Sequence, residues 1–154
     1  MNTKPEPRLV KISRKTSESK RDAASHGFFL SSKAPIGYRK WKPGDPDDWD
    51  SRILIIDEIA GPVVAMCFEI YASGKYSFSD ISEILAINGV KSWTGRSFSR
   101  EAIRLMFSCR TYLGQIEYKG RDVYPGKHQA LISQDLWDRV QYIREQHSAN
   151  HHKS

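Results

Sequence analysis

The sequence predicts a mainly α fold with a small β component (α+β): a helix-turn-helix-like three-helix core, a short β-hairpin, an N-terminal connector helix and a C-terminal helix. Three observations carry this expectation. Apolar residues recur at helical spacing in three successive segments between Gly61 and Cys109, each bounded by a start or stop signal. Two short strand-like runs then flank the turn Lys119, Gly120 and Arg121. Finally, Ser133 precedes a periodic segment in which Leu136, Trp137, Val140, Gln141 and Ile143 fall to one side.

The first helix of the core is expected from about Gly61 to Ser73. Pro62 suits its first turn, Asp57 and Glu58 lie where the helix dipole favours negative charge, and Gly74 supplies the stop. With Cys67 at the centre of the face, Val63, Val64, Ile70 and Tyr71 complete a core stripe. A second helix follows from about Ser79 to Ile87, with Ser77 or Ser79 as N-cap and Ser77 with Asp80 as a capping box. Phe78, Ile81, Ile84 and Leu85 form its buried face, and Asn88 and Gly89 end it. After the connection Val90 to Arg96, a third helix runs from near Ser97 or Ser99 to near Cys109. Ala102, Ile103, Met106 and Phe107 face inward, and Ser97, Glu101, Arg104 and Ser108 cluster opposite, with Arg100 on the flank.

Around this core, Arg52 to Asp57 reads as a short strand, and Tyr112 to Tyr118 with Asp122 to Tyr124 as the hairpin. Ala34 to Tyr38 forms a compact PxGY loop: the proline fixes its own backbone, Gly37 turns sharply and Tyr38 anchors by packing. Lys42 to Asp50 is an acidic surface loop. Residues 1–9 are expected to be disordered, 10–27 to be the end of a connector helix, 28–146 to form the domain, and 147–154 to be a disordered tail. The stretch Val10 to His26 carries almost no apolar stripe, so it is not expected to hold itself against a core; its residues fit the end of a longer helix, a connector, or a basic arm ordered only on DNA.

At 154 residues and 17.7 kDa the chain has room for one compact domain with flexible ends. No apolar run approaches the roughly 18 residues of a membrane span, and the N-terminus lacks a signal-peptide h-region, so a cytoplasmic location without membrane contact is expected. Cys67 and Cys109 each sit in an apolar helical pattern and are expected to be free, buried and not bound to zinc. His147, His151 and His152 lack cysteine partners at ligand spacing, so no metal and no cofactor are expected.

Charge is what points to a partner. The formal net charge is +6, and residues 91–128 hold eight Lys and Arg against three Asp and Glu, whereas residues 51–90 hold two against five. Residues 1–50 are net basic as well, so two basic regions flank an acidic helical spacer, and basicity gathered on a turn, a helix and a hairpin is the electrostatic footprint of a polyanion, with double-stranded DNA the expected partner. The outer face of the third helix mixes guanidinium, carboxylate and hydroxyl groups, the donor and acceptor set that reads base edges in a major groove.

The motifs also have an order. The segments KAPIGYRK, VVAMCFEIYASGKYSFSDISEILAINGV, RSFSREAIRLMFSCRTYLGQIEYKG and HQALISQDLWDRVQ resemble, in sequence, the recombinase domain of large serine site-specific recombinases, of resolvase-invertase type. The resemblance rests on Pro35, Gly37 and Tyr38; Tyr71 and Gly74; Asn88, Gly89 and Val90; Phe98 and Ser99; Tyr112 and Gly114; and Ile132 through Gln141. It extends from about Ala24 to Gln146. Phe98 stands where the family commonly has tryptophan, Ser108 near a common asparagine, and the acidic loop at Lys42 to Asp50 is unusually long.

The resemblance implies the central DNA-binding domain of a phage-integrase or mobile-element recombinase, recognising part of an attachment site for recombination or integration. In such proteins a separate catalytic domain carries the serine that attacks a DNA phosphate, and a zinc-ribbon domain with a coiled coil follows. No strand cleavage is therefore expected from this chain alone, and self-association is expected only of the full-length protein. Charge and helix face place Ser97, Arg100 and Arg104 near base edges, and Lys91, Thr94, Arg96, Lys119, Arg121 and Lys127 on phosphates. Lys33, Arg39 and Lys40, beside the PxGY loop, are expected to grip the adjacent backbone. Two other readings stay open: a stand-alone helix-turn-helix regulator, and a protein-interaction domain whose basic patch meets an acidic partner.

Overall fold

The computed structural model describes residues 18–31, 33–45 and 52–153, and the expected disordered start, the first part of the connector and most of the acidic loop lie outside these residues. Five helices and two antiparallel two-stranded sheets are present among them: α1 (18–25), β1 (Tyr38–Lys40), β2 (Leu54–Ile56), α2 (Ala60–Ala72), α3 (Phe78–Ile87), α4 (Arg100–Phe107), β3 (Gln115–Tyr118), β4 (Asp122–Pro125) and α5 (Gln134–Lys153). The predicted α+β class is the observed one.

Helix α2 is the central element. Val64, Cys67, Phe68 and Tyr71 are all buried on it, because α3, α5 and the β1–β2 sheet pack around it. Its start is capped not by its own first residues but by Asp57, whose carboxylate accepts from the N–H groups of Ile59 and Ala60 at 2.9 and 2.8 Å. Helix α3 carries the expected capping box: Ser77 Oγ accepts from Asp80 N–H, and Asp80 returns the contact to Ser77 N–H at 2.8 Å. Ser99 caps α4 by accepting from Ala102 N–H at 3.1 Å. The buried Ser82 hydroxyl donates to the Phe98 carbonyl, which fixes the entry of α4 against α3.

An aromatic cluster locks α4 to α2. Phe107 stacks on Tyr71 with centroids 4.6 Å apart and meets Phe68 edge-on at 4.9 Å. Two buried tyrosines join chain segments that lie far apart in sequence: Tyr38 donates to the Gln129 carbonyl and Tyr112 to the Ile36 carbonyl, both at 2.6 Å. Gly37 has φ +98°, and a Cβ there would lie 3.1 Å from Val64, so the PxGY loop needs glycine both for its backbone and for its close approach to α2.

Several expectations are corrected. Tyr38–Lys40, at the edge of the PxGY loop, is a strand paired with Leu54–Ile56 in the register Tyr38↔Ile56. Tyr112 and Leu113, expected to open the hairpin strand, lie in a 3-10 turn, Arg110–Leu113, which swings the Tyr112 ring into the core before Gly114 turns the chain at φ +80°. Cys109 follows α4 instead of lying in it and is half-buried, while burial pushes the Cys67 thiol up to about 12.

The connector does contact a core. Ala24 is fully buried against Ile116 and Tyr118 of the hairpin, and the Arg21 guanidinium lies 5.8 Å from the Tyr118 ring centroid. A single small residue suffices because Gly27, at φ +90°, lets the chain run within bonding distance of Lys127, whose N–H donates to the Gly27 carbonyl at 3.0 Å. At the other end, the tail expected to be disordered from 147 is helix as far as Lys153. His147 lies on the Trp137 face of α5, and its Nδ1 is 3.1 Å from the Tyr71 hydroxyl.

Candidate nucleic-acid interface

The connection between α3 and α4 is a shaped turn. Ser92 N–H donates to the Arg96 carbonyl at 2.8 Å, Gly95 N–H to the Ser92 carbonyl at 2.9 Å, and the Ser92 and Thr94 hydroxyls share a hydrogen bond of 2.8 Å. These bonds hold the backbone while leaving the side chains of Lys91, Thr94, Arg96 and Ser97 exposed, followed by the exposed Arg100 at the start of α4. Among the described residues none of these three cations has an ion-pair partner. Trp93 stands at the tip of the turn, 87% exposed, with the Lys33 ammonium 5.9 Å from its ring centroid. That contact brings the PxGY loop beside the α3–α4 turn, and between them runs an open groove of about 650 Å³ lined by Lys33, Lys91 and Trp93.

Arg104, one turn along α4, is half-exposed and held by Glu101: its Nε donates at 2.9 Å and its Nη2 contacts the other carboxylate oxygen. That contact holds the Glu101 carboxyl below its usual range. The pair is local, i to i+3, and at the surface; Arg104 is not buried in an internal ion pair.

The remaining basic residues are placed differently. Arg39 makes a two-pronged contact with Asp45, at 2.6 and 2.8 Å, and lies 3.8 Å from Glu58, with its side chain only 23% exposed. This contact, with the Lys42 N–H, holds the Asp45 carboxyl at about 2. Arg39 is thus tied into its own loop by a largely buried carboxylate. Lys40 lies 5.0 Å from the Phe29 ring centroid and Lys127 5.2 Å from that of Phe28, where Arg52 also stacks at 4.0 Å. Lys119 and Arg121 are exposed at the hairpin tip, with Lys119 in the left-handed region at φ 53° and 5.5 Å from the Tyr118 ring.

The structure therefore brings together Lys33, Lys91, Thr94, Arg96, Ser97, Arg100 and Arg104 around the α3–α4 turn and α4. Lys119 and Arg121 form a separate group at the hairpin tip, and Lys40 and Lys127 a third beside Phe28 and Phe29. Sequence reasoning missed Trp93 and Arg144. Trp93 left no periodic signal, but Arg144 did: Trp137, Val140, Arg144 and His147 share one helical face, so a polar residue stands in a core-facing row.

A family model described as Recombinase matches residues 58–147, more than half of the chain and beginning after the PxGY loop. No curated protein matches the sequence. A complex of a large serine recombinase (LSR) with DNA superposes with a TM-score of 0.66 at 20% identity, over 85% of this chain and 38% of that one. A structure from work on the sequence requirements of the Listeria innocua prophage attP site gives the same TM-score and identity over 85% of this chain and 51% of that one. At this identity the likeness is one of fold, and the chain spans about half or less of the length of the two structures. No helix among the described residues is long and apolar enough to cross a membrane.

Proposed function

The chain belongs to the Recombinase family, and from that premise we propose that it is the DNA-binding domain of a serine site-specific recombinase, recognising part of an attachment site in duplex DNA. One observation carries the reading: the α3–α4 turn and the start of α4 expose Lys91, Arg96 and Arg100 without an ion-pair partner among the described residues, with the hydroxyls of Thr94 and Ser97 between them. Short-range backbone bonds order this surface before any ligand arrives, which lowers the entropic cost of binding.

In this reading the exposed N-terminal half of α4 enters the major groove, with Ser97 and Arg100 toward base edges. Lys91, Thr94 and Arg96 meet phosphates on one side, and Lys33 and the exposed ring of Trp93 extend the contact toward the PxGY loop. Lys119 and Arg121 reach a more distant phosphate from the hairpin tip. The contacts of the Lys40 and Lys127 ammonium groups with the Phe29 and Phe28 rings give them a structural role in addition to any phosphate contact. Arg39 is assigned no DNA contact, because its guanidinium already serves Asp45. The reading assigns recognition and not strand cleavage to this chain, and self-association is proposed only for a longer protein carrying further domains.

Mobility shifts with random duplex and then with candidate attachment sequences test the assignment. The expected result is non-specific binding that weakens steeply with salt, with a log-log slope near −0.9 per neutralised phosphate, plus tighter binding to one site. Binding that stays constant between about 50 and about 200 mM salt contradicts it. A protein-interaction domain meeting an acidic partner predicts no shift with either duplex.

A further inference from the structure

Behind α4 lies a second cleft, of about 440 Å³, between the start of α3, the flank of α4 and the C-terminal half of α5. Arg100 and Arg104 reach it from α4 and Arg144 from α5, with Ser77, Tyr71 and His147 on its walls. Three guanidinium groups share one cleft, and the described residues supply one carboxylate partner among them, Glu101, which is engaged with Arg104.

Arg144 is the informative member. It is half-buried, and its one hydrogen bond among the described residues goes from Nη1 to the neutral Gln141 Oε1 at 2.6 Å. Desolvation lowers its pKa and the like charge of Arg104 lowers it further, with only the Tyr71 hydroxyl acting the other way. A guanidinium has five donors in a planar fork, and Gln141 engages only one nitrogen of it, so the rest of the fork faces the open cleft beside Arg100 and Arg104. Gln141 is itself fixed, since its amide donates to the Phe107 carbonyl at 2.7 Å at the end of α4, so Arg144 is held in place and not free to swing to solvent. An anion with several oxygen acceptors satisfies this arrangement, and tetrahedral phosphate matches convergent guanidinium forks.

We propose that this cleft is a phosphate site that takes a backbone phosphate of duplex DNA, extending the interface from α4 onto α5 through Arg144 and Arg104. The inference rests on the DNA-binding reading and deepens it. It also changes the role of Arg104: the residue grips backbone from the side of the helix instead of reading a base, so its loss weakens all sequences alike.

The test compares the whole chain with its Arg144→Gln and Arg144→Lys variants in duplex binding across a salt series, with melting temperature as the check on folding. The expected result is a slope shallower by about one for Arg144→Gln, partial recovery of the slope in Arg144→Lys, and no loss of thermal stability without DNA. Wild-type binding with an unchanged slope and affinity in Arg144→Gln overturns the phosphate site and leaves the DNA-binding reading intact. Failure of the wild type to bind any duplex overturns that reading itself. In a parallel arm, the Arg144 Nε–Hε NMR resonance is followed during additions of duplex and of inorganic phosphate. A shift with duplex supports the proposal, and a shift with inorganic phosphate alone overturns it in favour of a free phosphate ligand.

Discussion

Two groups of basic residues on this molecule look alike in sequence and behave differently in structure. Around β1 and Phe28–Phe29, the Arg39 guanidinium is clasped by Asp45, and Lys40, Arg52 and Lys127 lie over aromatic rings. Around the α3–α4 turn, Lys91, Arg96 and Arg100 extend from a hydrogen-bonded scaffold into solvent without an ion pair among the described residues. A cation already engaged by a carboxylate or a ring must give up that contact before it meets a phosphate, whereas a free one gives up only water and counterions. Local charge density locates a polyanion surface only after cations held by a buried carboxylate, as Arg39 is by Asp45, have been subtracted; Arg104 is paired with an exposed Glu101, a surface contact that a phosphate replaces at little cost.

The largest effect is expected from removing the free group. Arg96→Ala combined with Arg100→Ala is expected to weaken duplex binding by on the order of tenfold or more and to make the salt slope shallower by about two, with melting unchanged. Equal loss in binding and in melting temperature breaks the distinction, since it makes these residues structural.

Arg39→Ala sharpens the comparison from the other side. It is expected to lower the melting temperature while leaving duplex affinity nearly as it was. Its signature is pH-dependent: the Asp45 carboxyl, held at about 2 against an ordinary value of 3.8, contributes stability above the ordinary value that is lost as pH falls toward 2. The variant is expected to lose that part of the acid dependence, as read by melting temperature against pH.

A smaller effect belongs to His128, which is buried beneath Tyr38 with Nε2 2.7 Å from the Thr111 carbonyl and, among the described residues, no partner for Nδ1. Burial lowers its pKa below 6.5, so the folded state favours the neutral ring. Its stabilising contribution is complete above the unfolded value and declines as pH drops through about 6.5. His128→Gln is expected to flatten the melting curve against pH across that window while leaving the low-pH response of Asp45 in place. The smallest effect is expected at the hairpin tip, where Lys119→Ala is expected to weaken random and specific duplexes equally and to reduce the salt slope by about one at most.

The elements read most directly from sequence are those fixed by short-range chemistry. Ser77 and Asp80, Ser99, Asn88 and Gly89 all act within one turn, and their caps and stops appear where their spacing puts them. Elements set by distant partners were not legible. Tyr38–Lys40 is a strand because Leu54–Ile56 lies beside it, and Tyr112 sits in a 3-10 turn because its ring must reach the core and its hydroxyl the Ile36 carbonyl. Phe68 is buried although it lies off the Cys67 stripe, since α2 is covered on several sides.

The candidate site divides in the same way. The exposed residues from Lys91 to Arg100 follow from position alone, but the engagement of Arg39 with Asp45 and the convergence of Arg104 with Arg144 depend on tertiary placement. The polar face of α1 suggested a segment without a core, and burial of the single residue Ala24 against the hairpin was enough to dock it.

The most direct measurement is a titration of the isotopically labelled chain with duplex DNA, following backbone amide and arginine side-chain NMR signals together. Shifts are expected to concentrate from Lys91 to Arg104 and at Arg144, with Arg39 and its Asp45 partner unmoved. Shifts centred on Arg39, Lys40 and Phe28, with the α3–α4 turn silent, contradict that expectation.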